Sequence, residues 1–512
     1  MNAQAQIKSR RKIFSCFVVS CLTASFTICY SVPAVKKLYI FLFLITNRKI
    51  YSFFTWKGEI MDTIANPMGT KKVFPLLISM AVPPMISMMI QSLYNIVDSM
   101  FAARLGVNAI TAISLAYPLQ NLILSVGVGL GVGINACIAM SHGTGDTKKA
   151  DQAAAHGLVL AGLHALVFIA AGLLGIRAYL GMFTKDPEVL SLSSQYTYIV
   201  VLLSAGSLVH VAIEKIFQAM GNMKVPMILQ GMGALINIIL DPLFIFGVGI
   251  FPKMGVAGAA IATVIGQWSA CLLAVFLLFR KEHTVHIRFR GFAFDRELLK
   301  KIYMVAVPSA ITMSLPSILI SILNGILAGI SEVGIAVLGI YFKVQTFIYM
   351  PSNGLIQGMR PIISFNYGAG RDDRVKETIR DSLLVTGGIM AAGTILFVVF
   401  PVQIMGLFHA GGTLLKMGIM AFRIISIGFL FSAVGVVFSG VFEALGKGSA
   451  SLAVSTLRQF LSFRFFLYSW FHGWESMEFG FLFRQQRRQR LWQQSFYTGN
   501  TVIKGEFSDV LC

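Results

Sequence analysis

Long apolar segments follow one another along most of the chain, and short polar loops separate them. An apolar segment of about 20 residues is long enough to cross a hydrocarbon core of about 30 Å as an α-helix. The pattern from Lys71 onward predicts a series of membrane-spanning helices. They cover residues 73–101, 110–139, 154–176, 191–218, 226–249, 256–279, 299–325, 334–359, 378–404 and 413–441. The predicted fold class is therefore an all-α polytopic membrane protein.

Composition and charge distribution favour the same class. Of the 512 residues, 56% are hydrophobic and 12% are charged, which excludes an ordinary soluble domain. The net charge of +20 taken alone would also suit a protein that binds nucleic acid. Most Lys and Arg residues, however, lie in alternate short loops such as 280–301, as the positive-inside rule predicts. We therefore expect this loop to be cytoplasmic, and we expect no nucleic-acid partner.

The chain contains an internal repeat. A shift of 225 residues superposes Ala-Val-Pro at 81–83 on the same three residues at 306–308. The same shift matches glycines of the first half with glycines of the second. These pairs are Gly129 and Gly354, Gly133 and Gly358, Gly143 and Gly368, and Gly145 and Gly370. Six spans per unit would place both units in the same orientation, an arrangement typical of two-lobed transporters.

The predicted span 226–249 carries two polar residues that indicate a functional site. Asn237 and Asp241 are four residues apart, so both side chains lie on one face of the helix. An ionisable side chain at membrane depth costs about 2.5–3.5 kcal/mol on insertion scales, so it normally faces the protein interior. We interpret this helix as half of an ion site. The alternative is a polar side chain that reaches the interface or pairs with a neighbour.

Several motifs in combination resemble the multidrug and toxic compound extrusion (MATE) family, and its MepA-like bacterial branch in particular. They are Pro83, SLYNIVDSMFAARLG (92–106), SHGTGDTKKAD (141–151), NIILDPLFIFG (237–247), MGVAGAAIAT (254–263) and RPIISFNYGAG (360–370). The resemblance extends over about residues 68–461. It implies a twelve-helix plan with two parallel six-helix lobes, an N-lobe of residues 61–285 and a C-lobe of residues 286–461.

The resemblance also implies a cation site in the N-lobe. The residues that would line it are Asp98, Asn237, Asp241 and Thr263. Carboxylate, amide and hydroxyl oxygens suit a hard cation such as Na⁺, and two neighbouring carboxylates can also hold a proton because ionising both is unfavourable. The alternative for Asp98 is an ion pair with Arg104 at the outer interface. We expect H⁺ or Na⁺ as the coupling ion, no other metal and no cofactor.

Two prolines and four other side chains are further candidates. Pro83 and Pro308 lie in the first span of each lobe, where a missing backbone donor permits a bend that protonation could change. A static kink is the alternative.

The candidate substrate-cavity residues are Tyr94, Asn95, Glu214 and Met88. For Glu214 the alternative is an interfacial pair with Lys215, and for Met88 it is ordinary packing.

These features predict a secondary active multidrug exporter in the cytoplasmic (inner) membrane of a bacterium. It would exchange lipophilic cationic drugs and dyes for H⁺ or Na⁺, and it would act as a monomer in the lipid bilayer. The glycine-rich turns lack the Walker spacing, so ATP is not the expected energy source. Clustered acids for a membrane-embedded enzyme are also missing from the sequence. Two alternatives are a flippase for lipid-linked precursors and an inactive product of a damaged transporter gene.

Both ends of the chain depart from the repeat pattern. Residues 1–60 begin with a basic stretch and are expected to lie outside the family fold, with an extra N-terminal helix as the alternative. Residues 462–512 carry charges and the sequence RQQRRQR where the family would supply further apolar spans. We expect this basic tail to be aberrant, as a frameshifted or truncated gene would produce, with a divergent soluble tail as the alternative. The last one or two helices of the twelve-helix plan are therefore in doubt.

Overall fold

The computed structural model describes residues 67–249, 251–280, 283–287, 289, 292–328, 332–408 and 411–459. Within these residues the chain is helical, with turns and bends between the helices and no β-strand. The predicted all-α fold is confirmed. The extension 1–60 and the tail 462–512 lie outside the described residues, so the predictions for them stay predictions.

Fourteen helices with defined bounds follow one another in the described part of the chain, and residues 448–459 are also helical. The helices are α1 (Pro67–Thr70), α2 (Val73–Ala103), α3 (Val107–Gly143), α4 (Thr147–Gly181), α5 (Pro187–Leu202), α6 (Ala205–Ala219), α7 (Lys224–Phe246), α8 (Val256–Arg280), α9 (Arg296–Ala328), α10 (Glu332–Gly368), α11 (Asp372–Val399), α12 (Pro401–Gly406), α13 (Gly412–Ile425) and α14 (Gly428–Ala444).

Local sequence explains several of these boundaries. Asp146 precedes α4, and its side chain accepts a hydrogen bond from the backbone N–H of Lys149 at 3.0 Å. This bond holds the pKa of the exposed Asp146 carboxyl below its usual range. Asp186 caps α5 in the same way, accepting from the backbone N–H of Glu188 at 2.8 Å. Gly247 ends α7 with φ 75°, a left-handed conformation that favours glycine.

The fourth span of each repeat is broken, which the sequence analysis did not predict. The predicted span 191–218 is divided into α5 and α6, which meet at an angle of 43°. The predicted span 413–441 is divided into α13 and α14 at an angle of 48°. The predicted span 378–404 also divides, because Pro401 begins the short helix α12. The prediction of one continuous helix is therefore wrong at these three places.

Among the described residues, seven helices are long and apolar enough to cross a membrane, and nine spans result if each bent pair counts as one. These nine correspond to nine of the ten predicted spans. The remaining predicted span, 334–359, is covered by α10, a continuous helix of 37 residues that is not among them. The chain is therefore a multi-pass α-helical membrane protein.

The larger of two compact units contains the candidate site. It comprises the described residues up to Ser317, together with Thr346–Thr386 and Val436–Ala453. Its largest hydrophobic cluster joins α3, α4, α6, α8 and α9, with Ile134, Phe217 and Ile302 fully buried at its centre. Small residues such as the alanines of α4 let these helices pack closely.

The second compact unit comprises Ile318–Gln345, Gly387–Gly435 and the described residues from Val454 onward. Its core is aromatic. Tyr341 packs against three phenylalanine rings at centroid distances between 5.5 and 6.3 Å, and these rings are Phe397, Phe422 and Phe429. Edge-to-face and stacked contacts of this kind fix α10, α11, α13 and α14 to one another within the unit.

The short helix α1 is held by side chains from the end of α10 and the start of α11. Asn366 Nδ2 donates to the carbonyl oxygen of Met68 at 3.0 Å. Arg374 Nη2 donates to the same oxygen at 3.1 Å and to the carbonyl oxygen of Lys71 at 2.7 Å. The Met68 side chain is 1% exposed. The segment that precedes the first span is therefore fixed by residues about 300 positions later in the chain.

The repeat-related glycines lie where helices of the two repeats approach most closely. A Cβ atom on Gly129 would lie 2.5 Å from the carbonyl oxygen of Ala306, and one on Gly133 would overlap that of Ile302. In the second repeat, a Cβ on Gly358 would lie 2.7 Å from the backbone nitrogen of Ala81. The second helix of each repeat therefore packs on the first helix of the other. The glycines are needed because backbones touch there, not only for turns.

Replacing Gly133 with alanine should lower the stability of the protein. The added methyl group would overlap the backbone of α9, and such overpacking costs about 1–3 kcal/mol of unfolding free energy. Gly388→Ala is the matched control, because a Cβ there meets no atom within 4 Å and alanine favours the helix. Thermal unfolding of both variants in detergent measures the difference. An unchanged melting temperature for Gly133→Ala would contradict the close packing.

Candidate ion site

Asn237 and Asp241 lie on one face of α7 and are 2% and 0% exposed. The Asn237 amide lies between Asp241 and Thr263 of α8. With the amide nitrogen donating to Asp241 Oδ2 at 3.1 Å, the amide oxygen accepts from the backbone N–H of Thr263 at 3.1 Å and from its hydroxyl at 3.3 Å. Both ends of the amide are therefore satisfied, and the amide fixes the orientation of the Asp241 carboxyl.

Helix α2 supplies two further side chains, Tyr94 and Asp98, which are one helical turn apart. The Tyr94 side chain forms a hydrogen bond with the Thr263 side chain. The Asp98 carboxyl lies close enough to the Asp241 carboxyl for the two to interact electrostatically. Two neighbouring carboxyl groups are stable together when one carries a proton or when a cation lies between them. The four residues predicted for the site thus come together from α2, α7 and α8.

The alternative interpretation of Asp98, an ion pair with Arg104, has no support in the geometry. Both residues are described, Arg104 is exposed, and no ion pair joins them. Asp98 is partly buried, and its polar contact is with Asp241. The carboxyl therefore faces α7 and not the interface.

Two residues near the carboxyl pair were missed by the sequence analysis. Tyr196 of α5 is 3% exposed and lies within electrostatic range of both Asp98 and Asp241. Gln120 of α3 donates to the Tyr196 hydroxyl oxygen at 3.3 Å. The signal in the sequence is weak: Tyr196 stands in a polar stretch, SLSSQYTY, inside an otherwise apolar span. The polar groups at and near the site therefore come from five helices: α2, α3, α5, α7 and α8.

Close packing of α7 and α8 makes this geometry possible. A Cβ atom on Gly266 of α8 would lie 2.6 Å from the carbonyl oxygen of Gly233 and 3.3 Å from the Cβ of Asn237. Apolar residues of the same two helices also pack together, and they are Leu240, Phe244, Ala262 and Ile265. Glycine at position 266 therefore brings the two helices near enough for the amide to bridge them.

The other predicted site residues do not all lie at the ion site, and some belong to a second polar cluster. Pro83 and Pro308 lie inside α2 and α9, so their role in bending stays a prediction. Asn95 is exposed, one residue after Tyr94. Glu214 and Met88 belong to a different polar cluster: Glu214 pairs with Lys215 at 3.3 Å, and Gln357 contacts Met88 Sδ at 3.5 Å.

The pair of Glu214 and Lys215 is not interfacial, as the alternative interpretation had it. Glu214 is 9% exposed and Lys215 is 4% exposed. A second buried acid, Glu443 of α14, pairs with Arg360 of α10 and accepts a hydrogen bond from Ser309 at 2.8 Å. Glu443 lies inside an apolar span of the sequence, and no local pattern indicates Arg360 as its partner.

The fold and the site together define a class of protein: a polytopic α-helical membrane protein with a buried carboxyl pair between its spans. The MatE family model matches residues 83–243 and 308–466. The two matches begin 225 residues apart, which is the shift that superposes the repeats. The chain belongs to the MatE family.

Known relatives agree with this assignment. The multidrug export protein MepA of Staphylococcus aureus is 25% identical over 390 residues, which cover 75% of this chain and 85% of MepA. The FAD transporter of Shewanella oneidensis is 25% identical over 399 residues, with the same two coverages. The predicted resemblance to the MATE family and to MepA is confirmed.

Solved structures of the family share the fold. A crystal structure of MATE in complex with MaL6 superposes with a TM-score of 0.73 at 25% identity, and covers 77% of this chain and 88% of that one. A MOP superfamily transporter from Pyrococcus furiosus, whose binding pocket is described as having reverse polarity, has a TM-score of 0.73 at 25% identity. That match covers 80% of this chain and 91% of the other.

Replacing Thr263 with valine should destabilise the site while keeping its shape. The substitution removes the hydroxyl that contacts both Asn237 and Tyr94, and a buried polar group left without its partner costs about 1–3 kcal/mol. Thr312→Val is the matched control, because the buried Thr312 hydroxyl has no hydrogen-bond partner among the described residues. Thermal unfolding in detergent distinguishes the two. Equal melting temperatures would show that the Thr263 hydroxyl does not hold the site together.

Proposed function

We propose that this chain is a secondary active exporter that expels lipophilic cationic compounds in exchange for H⁺ or Na⁺. Its place would be the cytoplasmic membrane of a bacterium, with the loop 280–301 on the cytoplasmic side. It would work as a monomer, and its partners would be drugs and dyes together with the lipid bilayer. The proposal is of transport and not of an enzyme reaction.

The observation that carries the proposal is the closeness of the carboxyl groups of Asp98 and Asp241. Asp241 is fully buried, and two neighbouring negative charges at such a place repel each other strongly. A proton or Na⁺ removes this repulsion, so cation binding at the pair is favourable. A change in the surroundings of the pair would change its affinity and allow release. The hydroxyl of Thr263 and the amide of Asn237 offer further oxygen ligands for Na⁺.

Coupling would follow from the position of the site on three helices, with Asp98 on α2, Asp241 on α7 and Thr263 on α8. A bound cation neutralises the carboxyls and lets α2 stay packed on α7 and α8. Loss of the cation restores the repulsion between Asp98 on α2 and Asp241 on α7, which favours a different arrangement of α2. Pro83 lies on the same helix as Asp98 and lacks a backbone donor, so α2 can bend there at low cost. Ion binding and the shape of the transport path would thus be linked.

The substrate class rests on the relatives. MepA is a multidrug export protein, and it matches three quarters of this chain. The FAD transporter matches as much of the chain at the same identity, and FAD is an anion. The bases Lys215 and Arg360 are each paired with an acid, so neither offers a free positive charge to a pyrophosphate. This balance favours cationic compounds over lipid-linked precursors.

Replacing Asp241 with asparagine should abolish efflux. The amide keeps the size of the side chain but cannot hold a proton or a charge, so the cation-dependent change of α2 would be lost. We expect the rate of cationic dye efflux in everted membrane vesicles to fall to the background of vesicles without the protein. The amount of inserted protein should stay the same.

The control is Asp381→Asn, which changes another buried aspartate, 4% exposed and paired with Arg380 on α11. Efflux by this variant should remain. Imposing a Na⁺ gradient and a pH gradient separately identifies the coupling ion, since only the gradient of that ion should drive efflux in the unchanged protein. Wild-type rates for Asp241→Asn, or efflux under neither gradient, would refute the antiport proposal.

A further inference from the structure

A second group of charged side chains is buried outside the candidate ion site. Its centre is Lys215 on α6, whose side chain lies among α3, α6 and α10 and is almost fully shielded from solvent. A lysine ammonium inside an apolar helix bundle is unfavourable unless polar groups surround it. The partners of the ammonium therefore indicate what the group does.

Three side-chain oxygens surround the Lys215 ammonium. They belong to Glu214 at 3.3 Å, Gln218 at 3.0 Å and Gln357 at 3.1 Å. The Gln218 amide nitrogen donates to Glu214 at 2.7 Å and to Gln357 at 3.2 Å, so these acceptors are also fixed to one another. We call Glu214, Gln218 and Gln357 the ammonium cradle. Its three oxygens match the three N–H donors of a primary ammonium ion.

The ammonium cradle joins the two repeats. Glu214 and Gln218 lie on α6 in the first repeat, whereas Gln357 lies on α10 in the second. The Gln357 amide also contacts Met88 of α2. Lys215 therefore connects helices that are far apart in sequence, with 142 positions between Lys215 and Gln357.

The room for Lys215 is specific to the first repeat. A Cβ atom on Gly131 of α3 would lie 2.5 Å from Cγ of Lys215, so the lysine stem needs glycine there. Under the shift of 225 residues, Gly131 and Lys215 correspond to Ile356 and Gly440. In the second repeat the large side chain, Ile356, packs against the glycine of the other helix. In the second repeat, an apolar side chain is therefore enough to pack these two helices. Packing does not explain why the first repeat has a lysine at position 215.

Nearby charges show that the cluster does not attract an anion. The ion pair of Arg360 and Glu443 lies within electrostatic range of Lys215. Two basic and two acidic groups therefore balance one another in this part of the chain. All three N–H donors of the Lys215 ammonium have acceptors in the cradle. These hydrogen bonds hold α6 and α10 together.

We propose that the Lys215 ammonium locks the first repeat to the second at the predicted cytoplasmic side, and that it leaves its cradle when this side opens. The lock lies on α6, which ends next to the loop before Lys224, and α3 and α10 also touch through Gly143 and Gly368 near their ends on that side. This inference rests on the proposed function, because an exporter that alternates must separate its repeats there.

Distances between spin labels test the lock directly. Labels at Lys148→Cys on α4 and Asp373→Cys on α11, both exposed sites, report on the two repeats in a full-length protein whose native cysteines are replaced. In Lys215→Ala we expect the ratio of separated to closed molecules to rise about tenfold or more, since hydrogen bonds to a charged group are lost. Ethylammonium chloride should restore the closed distance by filling the cradle, whereas equal NaCl should not.

If Lys215→Ala folds poorly, two further variants still test the proposal. Gln357→Leu removes the cradle oxygen of the second repeat, together with the amide contact to Met88, and should also favour separation. Gln230→Leu is the matched control, because it breaks a partly buried hydrogen bond from Ser87 at 2.7 Å that lies within the first repeat. It should leave the distance unchanged. Closed distances in both Lys215→Ala and Gln357→Leu, or no response of Lys215→Ala to ethylammonium, would overturn the proposal.

The same spin labels show whether the lock or the proposed antiport function has failed. Asp241→Asn in the labelled protein should lose efflux and keep an intact cradle, so ethylammonium should not alter its distances. If Asp241→Asn retained efflux while Lys215→Ala still separated the repeats, the antiport proposal would fail and the lock would stand.

Discussion

Hydrocarbon offers no hydrogen bonds, so every polar group inside the spans must find its partner in the protein itself. This constraint explains both polar clusters in the larger unit. Asn237 bridges Asp241 and Thr263 with both ends of its amide, and the Lys215 ammonium is surrounded by three oxygens. In each cluster the partners come from different helices. Satisfying the polar groups therefore fixes the relative position of helices that apolar contacts alone would leave free to slide.

Such bridges need helices that are close together, and glycine provides the space. Gly266 allows α8 to approach α7 beside Asn237, and Gly131 makes room for the stem of Lys215. The repeat-related Gly133 and Gly358 allow backbone contact between the repeats. The same residue type thus serves the ion site, the ammonium cradle and the packing of the two repeats. The two repeats share Gly133 and Gly358, but Gly131, the acid pair and Lys215 belong to the first repeat alone.

Much of the fold could be predicted from the sequence because membrane spans are local patterns. The bounds of α2, α7 and α8 lie within a few residues of the predicted spans. The breaks between α5 and α6 and between α13 and α14 could not be predicted, because neither bend has a proline at its centre. For the site, Asn237 and Asp241 share a helix face, whereas Asp98 came from the family resemblance. Tyr196 and the cradle of Lys215 depend on contacts between distant segments, and no local pattern reports these.

The hydrogen bonds around α1 have a consequence for biosynthesis. Met68 and Lys71 lie ahead of the first span, but the arginine that binds their carbonyl oxygens is Arg374. At a translation rate of about 5–20 residues per second, roughly 15–60 s separate the emergence of these segments from the ribosome. During that time the carbonyl oxygens of Met68 and Lys71 lack the Arg374 donor. The residues just ahead of α2 therefore complete their final contacts only after the start of α11 has been synthesised.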